Sequence, residues 1–333
     1  MIIRTEAHAR AGLLGNPSDM YGGAVISCLI RNFSAQVRLW ESPNLAFQPH
    51  PVHDRIVFEG MDDLVRSIER HGYYGMQRIL FAACRRFAQY AEETGLRLRK
   101  ANFTIEYETT IPRQSGLGGS SAMIIAALKA LLRFHRVPAR AVRPAELAAL
   151  ALSAERQELG IAAGLQDGVV QSYGGLTYME FSRTPSYERM DPSLLPRFGL
   201  ACLTEQHLGA MESGRVHSQV RYRWEQGDQE VRAAMKELAR TAKQGGEAIA
   251  NGDVTRLAQL MERNHDLRVA LFGDALGQPN LEMVDIAQRL GFAAKLPGSS
   301  GAALVLLDGG GSERELAAAY AERGYRYQPI KVC

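Results

Sequence analysis

RQSGLGGSSAM, residues 113–123, separates a β-like run, FTIEYETTI (103–111), from an apolar run, MIIAALKALL (123–132). Glycine and serine are poor formers of both strands and helices, so their concentration here predicts a loop between a strand and a helix. The first N–H groups of a helix lack intrahelical acceptors, and the helix dipole adds partial positive charge at that end. The order strand, Gly/Ser loop, helix therefore predicts a phosphate-binding loop, with an ordinary turn capped by serine as the alternative.

The sequence patterns of well-known nucleotide-binding loops narrow this prediction. A Walker A loop needs a Gly-Lys-Ser/Thr sequence, and the chain contains no Gly-Lys pair. A dinucleotide-binding fingerprint needs a third glycine, but Ser121 stands at that position after Gly116 and Gly118. Neither His-Arg-Asp nor Asp-Phe-Gly occurs in the chain, which excludes a protein-kinase site.

The composition of the whole chain is that of an ordinary globular protein. Its 333 residues are 46% hydrophobic and 23% charged, enough for one large domain or two smaller ones. The net charge of +3 is small, so neither nucleic acid nor a membrane is an expected partner. The four cysteines form no Cys-x-x-Cys pair, and the N-terminus lacks the apolar segment of a signal peptide. A reduced, cytoplasmic protein is therefore expected.

Hydrophobic periodicity and turn residues predict an α+β architecture. Alternation and β-branched or aromatic residues predict strands at 24–40, 103–111, 176–181, 198–205, 302–307 and 325–332. Helical spacing predicts helices at 75–94, 122–135, 145–159, 229–250, 253–272, 280–290 and 313–322. Residues 182–196 hold three prolines and little periodicity, which predicts a loop or a domain joint. We expect two domains, 1–190 and 191–333.

Three motifs, in order along the chain, carry a resemblance to a known family. PRQSGLGGSSA (112–122) resembles the second motif of the GHMP kinases, ARAGLLGNPSD (9–19) their N-terminal motif, and KLPGSSGAALVL (295–306) their C-terminal glycine loop. Within that superfamily the chain is most similar to the glucuronokinases, in stretches such as GLLGNPSDMYGG, ELGIAAGLQDGVVQSYGGL and FGDALGQPNLEMVDIAQRLG. The third motif departs from the family pattern, because Ser299 and Ser300 stand where the family is usually richer in glycine.

The resemblance implies a fold and a reaction. The fold would be the two-domain GHMP kinase fold, with an N-terminal domain like domain 2 of ribosomal protein S5, a ferredoxin-like C-terminal domain and an active site between them. The reaction would be magnesium-dependent transfer of a phosphoryl group from ATP to the anomeric hydroxyl of D-glucuronate. The alternatives are a family kinase for galacturonate, galactose or a heptose phosphate, and a non-catalytic sensor of ATP or sugar. The expected partners are thus ATP and a sugar acid, bound by a monomer or a homodimer.

The resemblance also implies which residues bind ATP and magnesium. The residues expected at the ATP phosphates are Pro112, Gly116, Leu117, Gly118, Gly119, Ser120, Ser121 and Ala122. Ser121 would also be a magnesium ligand, and magnesium takes few protein oxygens and keeps several waters. Glu155 matches the family position of the second ligand, while Glu158, one turn later on the predicted helix, is the competing candidate.

Asp167, in the polar and Gly-flanked stretch GLQDGVVQSYGG, matches the catalytic aspartate of the family. We expect it in a turn, where it would accept the proton of the sugar hydroxyl or orient that hydroxyl. Arg10 resembles the arginine that pairs with this aspartate and stabilises charge on the transferring phosphoryl group. Asp19 resembles the carboxylate that binds sugar hydroxyls, and Tyr173 is a further expected substrate contact.

A uronic acid carries a carboxylate, which a bidentate arginine would recognise. Arg113, beside the phosphate loop, is one candidate. The others lie in GRVHSQVRYRW (214–224), whose polar and aromatic members include Arg215, His217, Arg221, Arg223 and Trp224. A basic helix face in solvent is the alternative interpretation of that stretch. HPVHD (50–54) has too few ligands for a zinc site and is interpreted as a loop beside the nucleotide.

Overall fold

A computed structural model of the chain describes residues 1–54, 75–204 and 213–333 together with positions 59, 63 and 207, and residues 213–218 by their backbone alone. The strands are β1 (Ile2–Leu14), β2 (Ala24–Glu41), β3 (Ala46–Phe47), β4 (Phe103–Thr109), β5 (Leu176–Glu180), β6 (Ser186–Met190), β7 (Phe198–Cys202), β8 (Ala294–Lys295), β9 (Ala302–Leu306) and β10 (Arg326–Pro329). The α-helices are α1 (Gln77–Thr94), α2 (Gly119–Phe134), α3 (Pro144–Ser153), α4 (Gln166–Tyr173), α5 (Ser213–Glu225), α6 (Gln229–Ala250), α7 (Val254–Phe272), α8 (Gln278–Arg289) and α9 (Glu313–Glu322). No helix in these described ranges has the length and apolar character that a membrane crossing requires.

The first sheet is built around the long strand β2. Its strand order is β3-β4-β2-β5-β6, and β1 pairs antiparallel with β2 from Ile2, opposite Trp40, to Leu14, opposite Ile26. β1 is absent from the predicted strands although exposed and buried positions alternate over its first six residues. The reason is that the buried positions there are one isoleucine, one threonine and one alanine, which give a weak hydrophobic pattern.

Helix α2 fills the core beneath the first sheet. Its residues from Ser121 to Leu128 are buried without interruption, which is the pattern of a helix covered on all sides. The helix begins at Gly119, three residues before the predicted start. It can do so because Gly118, with φ +71°, turns the chain directly from the loop into the helix. Ser120 and Ser121 therefore belong to the first helical turn.

The stretch HPVHD closes the N-terminal end of α1. Oδ1 of Asp54 accepts the N–H groups of Met76 (2.6 Å) and Gln77 (3.0 Å), and its Oδ2 accepts the hydroxyl of Tyr107 (2.8 Å). A carboxylate at this position satisfies free N–H groups and opposes the helix dipole. Within the described ranges, no group of three or more His, Cys, Asp or Glu side chains is arranged to hold a metal ion. The predicted place of this stretch beside a nucleotide stays a prediction.

The second sheet has the strand order β10-β7-β9-β8, with antiparallel neighbours throughout. Numbered within this half of the chain, the order is 4-1-3-2 with helices after the first and third strands, which is the ferredoxin-like arrangement. Two sheets with helices packed on them confirm the α+β class. Strand β6 lies inside the predicted loop 182–196 and pairs with β5. The proposed boundary between residues 190 and 191 falls in the link from β6 to β7.

The two sheets share packed surface near the end of β1. The larger hydrophobic cluster contains Ile26 of the first sheet and Leu200 of the second. Helix α6 approaches β1 so closely that a Cβ on Gly245 would lie 2.0 Å from Cδ1 of Leu14. This packing fixes the first sequence motif, which includes the end of β1, relative to the helices of the second half of the chain.

Candidate active site

The three sequence motifs meet at one place in the structure. The N–H of Arg10 donates to the carbonyl of Leu117 (2.9 Å), which joins the first motif to the predicted phosphate loop. The N–H of Gly12 donates to the carbonyl of Pro297 (2.9 Å), which joins the first motif to the third. Backbone groups make both bonds, so their position depends on the fold and not on side-chain rotamers. The site therefore lies where these three motifs converge.

Gly116→Ala should loosen the contact between the second and third loops. Gly116 has φ +63°, and a Cβ there would lie 2.5 Å from the carbonyl oxygen of Ser300. Gly95 has a similar angle, φ +69°, but no atom lies within 4 Å of its Cβ position. Both alanine variants should lose about 1 kcal/mol from the left-handed backbone alone. We therefore expect the larger fall in Tm for Gly116→Ala, measured by calorimetry; equal falls would contradict a tight contact between the loops.

Arg10 and Asp167 form a bidentate ion pair at the centre of the site. Nε of Arg10 donates to Oδ1 of Asp167 (2.6 Å) and Nη2 donates to Oδ2 (2.9 Å). Nη1 donates to the carbonyls of Gly116 and Pro297, so one guanidinium contacts all three motifs. Arg10 is buried, whereas 21% of the Asp167 side chain stays exposed. The carboxylate is thus fixed in orientation and open to a ligand on one side.

Asp167 lies in the first turn of helix α4, and the prediction of a turn at this position was wrong. Val169 and Val170 of this short helix are fully buried in a cluster with residues of β2. Gly168 also packs closely, since a Cβ there would lie 3.0 Å from the carbonyl of Ala148. Tertiary packing therefore stabilises this helix, although the glycines beside it favour the prediction of a turn.

Gln171, one turn after Asp167, is a site residue that the sequence motifs did not indicate. Its Nε2 donates to the carbonyls of Gly118 (2.9 Å) and His8 (3.2 Å). Helix α4 therefore positions the aspartate and also holds the phosphate loop. The i,i+4 spacing of Asp167 and Gln171 would have placed both on one face, had the segment been recognised as helical.

Ser121 and Glu155, the two predicted magnesium ligands, meet at the start of α2. Oγ of Ser121 donates to Oε1 of Glu155 (2.8 Å), and both side chains are buried. Burial raises the pKa of Glu155 to about 8, and the negative charge of Asp167 acts in the same direction. A divalent cation would stabilise the ionised form of such a carboxyl group. One hydroxyl and one carboxylate also form the small set of protein ligands that magnesium combines with phosphates and waters, so the pair fits this ion.

Glu158, the competing candidate, points to a different neighbour. Its carboxylate pairs with Arg85 at 2.9 Å. The chain continues from α3 into a π-helical turn over Ala154–Glu158. The wider π turn changes the rotation per residue, so Glu155 and Glu158 do not share a face as they would on a regular α-helix. The structure thus brings Glu155, and not Glu158, to Ser121.

Asp19 lies beside the Arg10–Asp167 pair. It belongs to the 3-10 turn Ser18–Tyr21, and its Oδ2 accepts the N–H of Gln166 at 3.4 Å. Burial raises the pKa of Asp19 to about 7, and the charge of Asp167 contributes to the rise. The two carboxyl groups are therefore close enough to interact electrostatically, which suits two groups that bind neighbouring hydroxyls of one ligand.

Tyr173 does not join this group. It ends α4 six residues after Asp167, a spacing that puts the two side chains on different faces of the helix. Its ring packs against Tyr187 with centroids 5.5 Å apart. This geometry argues against the predicted substrate contact, and the side chain has a structural contact instead.

The predicted carboxylate-binding arginines separate in space. Arg113 is partly buried, and burial lowers its pKa while the nearby Tyr107 opposes that change. Arg223 pairs with Asp228 at 2.6 Å. Arg221 lies on the same helix and is half exposed. The side chains of Arg215 and His217 lie outside the described residues.

Lys295 is a second contributor that sequence reasoning missed. Its fully buried Nζ donates to the carbonyls of Gly12 (2.8 Å) and Leu296 (2.9 Å) and to Oδ1 of Asn16 (2.7 Å). Burial lowers its pKa well below the usual range, and the charge of Arg268 adds to the fall. The buried lysine therefore connects the first motif, at Gly12 and Asn16, with the third motif, to which it belongs. A lone lysine at the start of a glycine loop gave no sequence signal for this role.

Family models and a full-length relative match the chain. Residues 78–175 match the model for the GHMP kinases N terminal domain, and residues 247–326 match the model for the GHMP kinases C terminal. Glucuronokinase 1 of Arabidopsis thaliana is 43% identical over 339 residues, which cover 99% of this chain and 92% of that protein.

Solved structures share the fold. Mevalonate kinase of Methanococcus jannaschii superposes with a TM-score of 0.71 at 20% identity, covering 100% of this chain and 98% of that one. D-glycero-D-manno-heptose 1-phosphate kinase from Bacteriodes thetaiotaomicron superposes with a TM-score of 0.69 at 20% identity, covering 100% of this chain and 96% of that one. Together with the three converging motifs, these matches show that the chain belongs to the GHMP kinase family and has its two-domain fold.

Proposed function

We propose that this protein is a sugar 1-kinase that converts ATP and D-glucuronate into ADP and 1-phospho-D-glucuronate. The observation that carries the proposal is the Arg10–Asp167 pair, which lies against the phosphate loop and keeps part of the Asp167 carboxylate exposed. Oδ2 of Asp167 lies 3.1 Å from the Cβ position of Gly118. The carboxylate is therefore next to the loop that would hold the phosphates, where a group that receives the proton of an attacking hydroxyl is needed. The similarity to Glucuronokinase 1 along nearly the whole of both chains supports the choice of sugar.

ATP would bind with its phosphates along the loop from Pro112 to Ala122. The members of that loop around the phosphates would be Gly116, Leu117, Gly118, Gly119, Ser120 and Ser121. The first N–H groups of α2 point out of the helix end and attract an anion. Ser121 and Glu155 would hold a magnesium ion, which supplies charge neutralisation at the phosphates when it is bound.

The side chains would act by positioning the reactants and moving one proton. Each oxygen of Asp167 accepts one bond from Arg10 and keeps a lone pair that can accept the proton of the anomeric hydroxyl. As the hydroxyl oxygen bonds to the γ-phosphorus, the bond from that phosphorus to the β–γ bridging oxygen breaks, and ADP leaves with the electron pair. Arg10 would stabilise the charge on the transferring group, and Asp19 would accept a bond from a second sugar hydroxyl.

The division into domains at residue 190 is part of this proposal. It would place the phosphate loop, Arg10 and Asp167 in the domain 1–190 and the third motif in the domain 191–333. The substrates would then bind where the two domains meet, as the contacts of Arg10 with Gly116 and Pro297 suggest.

A coupled assay of ADP release tests the proposed function. The panel is glucuronate, galacturonate, galactose, glucose, mevalonate and homoserine, each with magnesium and ATP. We expect the highest kcat/KM for glucuronate. Turnover of a different sugar would support the kinase activity but contradict the assignment of glucuronate as the substrate. No turnover across the panel, with ATP still bound in calorimetry, would contradict the proposal and favour a sensor of ATP or sugar.

A further inference from the structure

Glucuronate carries a carboxylate on the carbon that follows the ring oxygen, and neither Asp19 nor Asp167 would attract it. A separate cationic group must bind it if a uronic acid is preferred over a neutral sugar. The identity of this cationic group rests on the proposed function, which makes glucuronate the substrate. The candidates are the residues that lie near Asp19.

The turn that holds Asp19 also holds Tyr21, at its last position. The ring of Tyr21 packs against Trp224 of helix α5, with ring centroids 4.9 Å apart. Helix α5 therefore lies against the same turn as Asp19. Residues one helical turn away from Trp224 share its face and are directed to the same region.

Arg221 occupies that position, three residues before Trp224. Its Nε donates to the carboxylate of Glu225 at 3.0 Å, and both side chains are about half exposed. An exposed i,i+4 ion pair contributes little free energy. The guanidinium can therefore release Glu225 and pair with a carboxylate that offers both oxygens in a less hydrated position.

The hydroxyl of Tyr21 has unused hydrogen-bonding capacity. Its oxygen is buried, yet among the described residues it has no hydrogen-bond partner. Burial raises the pKa of this phenol to about 12, the charge of Arg221 opposes the rise, and Asp19 adds to it. Arg221 and Asp19 thus lie within electrostatic reach of one hydroxyl. A buried hydroxyl without a partner is unfavourable, and a ligand that accepts a hydrogen bond from it would remove that cost.

The other described arginines of the predicted set are engaged elsewhere. Nε of Arg223 donates to Asp228 (2.6 Å) and its Nη2 to Glu230 (3.3 Å), at the start of α6. Arg113 lies near Tyr107 of strand β4. Arg223 is thus held at the start of α6, and Arg113 lies at β4.

We propose that Arg221 and Tyr21 bind the carboxylate of the sugar acid and so determine the preference for a uronic acid. Arg221 exchanges Glu225 for the substrate carboxylate, and the Tyr21 hydroxyl donates to one of its oxygens. Asp19 and Asp167 bind hydroxyls of the same sugar. A neutral sugar would leave both Arg221 and Tyr21 without a ligand.

Tyr21→Phe and Arg221→Gln test this assignment, because each should change KM for glucuronate without changing kcat. Phenylalanine keeps the ring on Trp224 and removes only the hydroxyl, so a structural role would leave the kinetics unchanged. We expect KM for glucuronate to rise about 10-fold in Tyr21→Phe and about 30- to 100-fold in Arg221→Gln. The kcat value and the KM for ATP should stay close to wild type. Arg221→Lys should recover part of the affinity, because it keeps the charge and loses the planar fork.

Arg223→Gln is the matched control, since it makes the same change on the same helix. It removes the contact with Asp228 and should leave KM for glucuronate unchanged. A wild-type protein that does not phosphorylate glucuronate would contradict the proposed function itself. A wild-type protein that does so, with the same KM in Arg221→Gln, would overturn the role of Arg221 alone.

Discussion

Asp167→Asn should lower kcat by about 1,000-fold while ATP binding stays largely unchanged. Asparagine has nearly the shape of aspartate but cannot take up the proton of the attacking hydroxyl, and a positioned general base contributes about 10²- to 10⁴-fold. Arg10 keeps its bonds to the carbonyls of Gly116 and Pro297 in this variant, so the phosphate loop should stay in place. Steady-state kinetics measure the first effect and calorimetric titration with ATP measures the second.

Asp308→Asn is the control for the loss of an aspartate–arginine pair as such. Asp308 pairs with Arg197 at 2.8 Å on the surface. We expect this variant to keep the wild-type kcat. Removing one charge of a buried pair leaves the other uncompensated and can destabilise the fold. Thermal melting of both variants therefore checks that the fold is retained. A folded Asp167→Asn protein with full activity would remove Asp167 from the mechanism.

The elements that were predicted well are those with local signals. Helix α6 was predicted at 229–250 and is found at Gln229–Ala250, because its amphipathic pattern is long and Asp228 caps its start. Gly95, predicted to end α1, does so with φ +69°. Strand β1 and helix α4 were missed for the opposite reason. They are short or weakly apolar, and packing against β2 stabilises them.

In the candidate site, too, the residues with a local sequence signal were predicted and those without one were not. Arg10 and Ser121 could be recognised because each stands in a continuous motif, and Asp167 and Glu155 because each matches a family position. The structure pairs Arg10 with Asp167 and Ser121 with Glu155. The supporting hydrogen bonds could not be recognised from the sequence, because Gln171 contacts Gly118 and Lys295 contacts Gly12 only in the folded chain. The π-helical turn that separates Glu155 from Glu158 is likewise invisible to a pattern that assumes a regular helix.

Glu155→Gln should lower kcat/KM for magnesium–ATP by more than about 100-fold, because the charge stabilisation that a bound metal supplies is worth several kcal/mol. Glutamine can still accept the bond from Ser121 but offers the metal no negative charge. Raising the magnesium concentration should recover part of the activity. Binding of magnesium in the presence of a non-hydrolysable ATP analogue, measured by calorimetry, should weaken in parallel. The Tm without ligands should not fall, since the amide is neutral and the buried carboxyl it replaces is unfavourable when ionised.

Glu158→Gln makes the same chemical change three residues later, on the side chain that pairs with Arg85. Glu158 is mostly buried but Arg85 is largely exposed, so the loss of this pair should cost about 1 kcal/mol. We expect the magnesium requirement and kcat to match wild type. The reverse result, with Glu158→Gln inactive and Glu155→Gln active, would assign the ligand to Glu158. It would then require the Ala154–Glu158 turn to rewind when ATP binds, since in the present arrangement only Glu155 reaches Ser121.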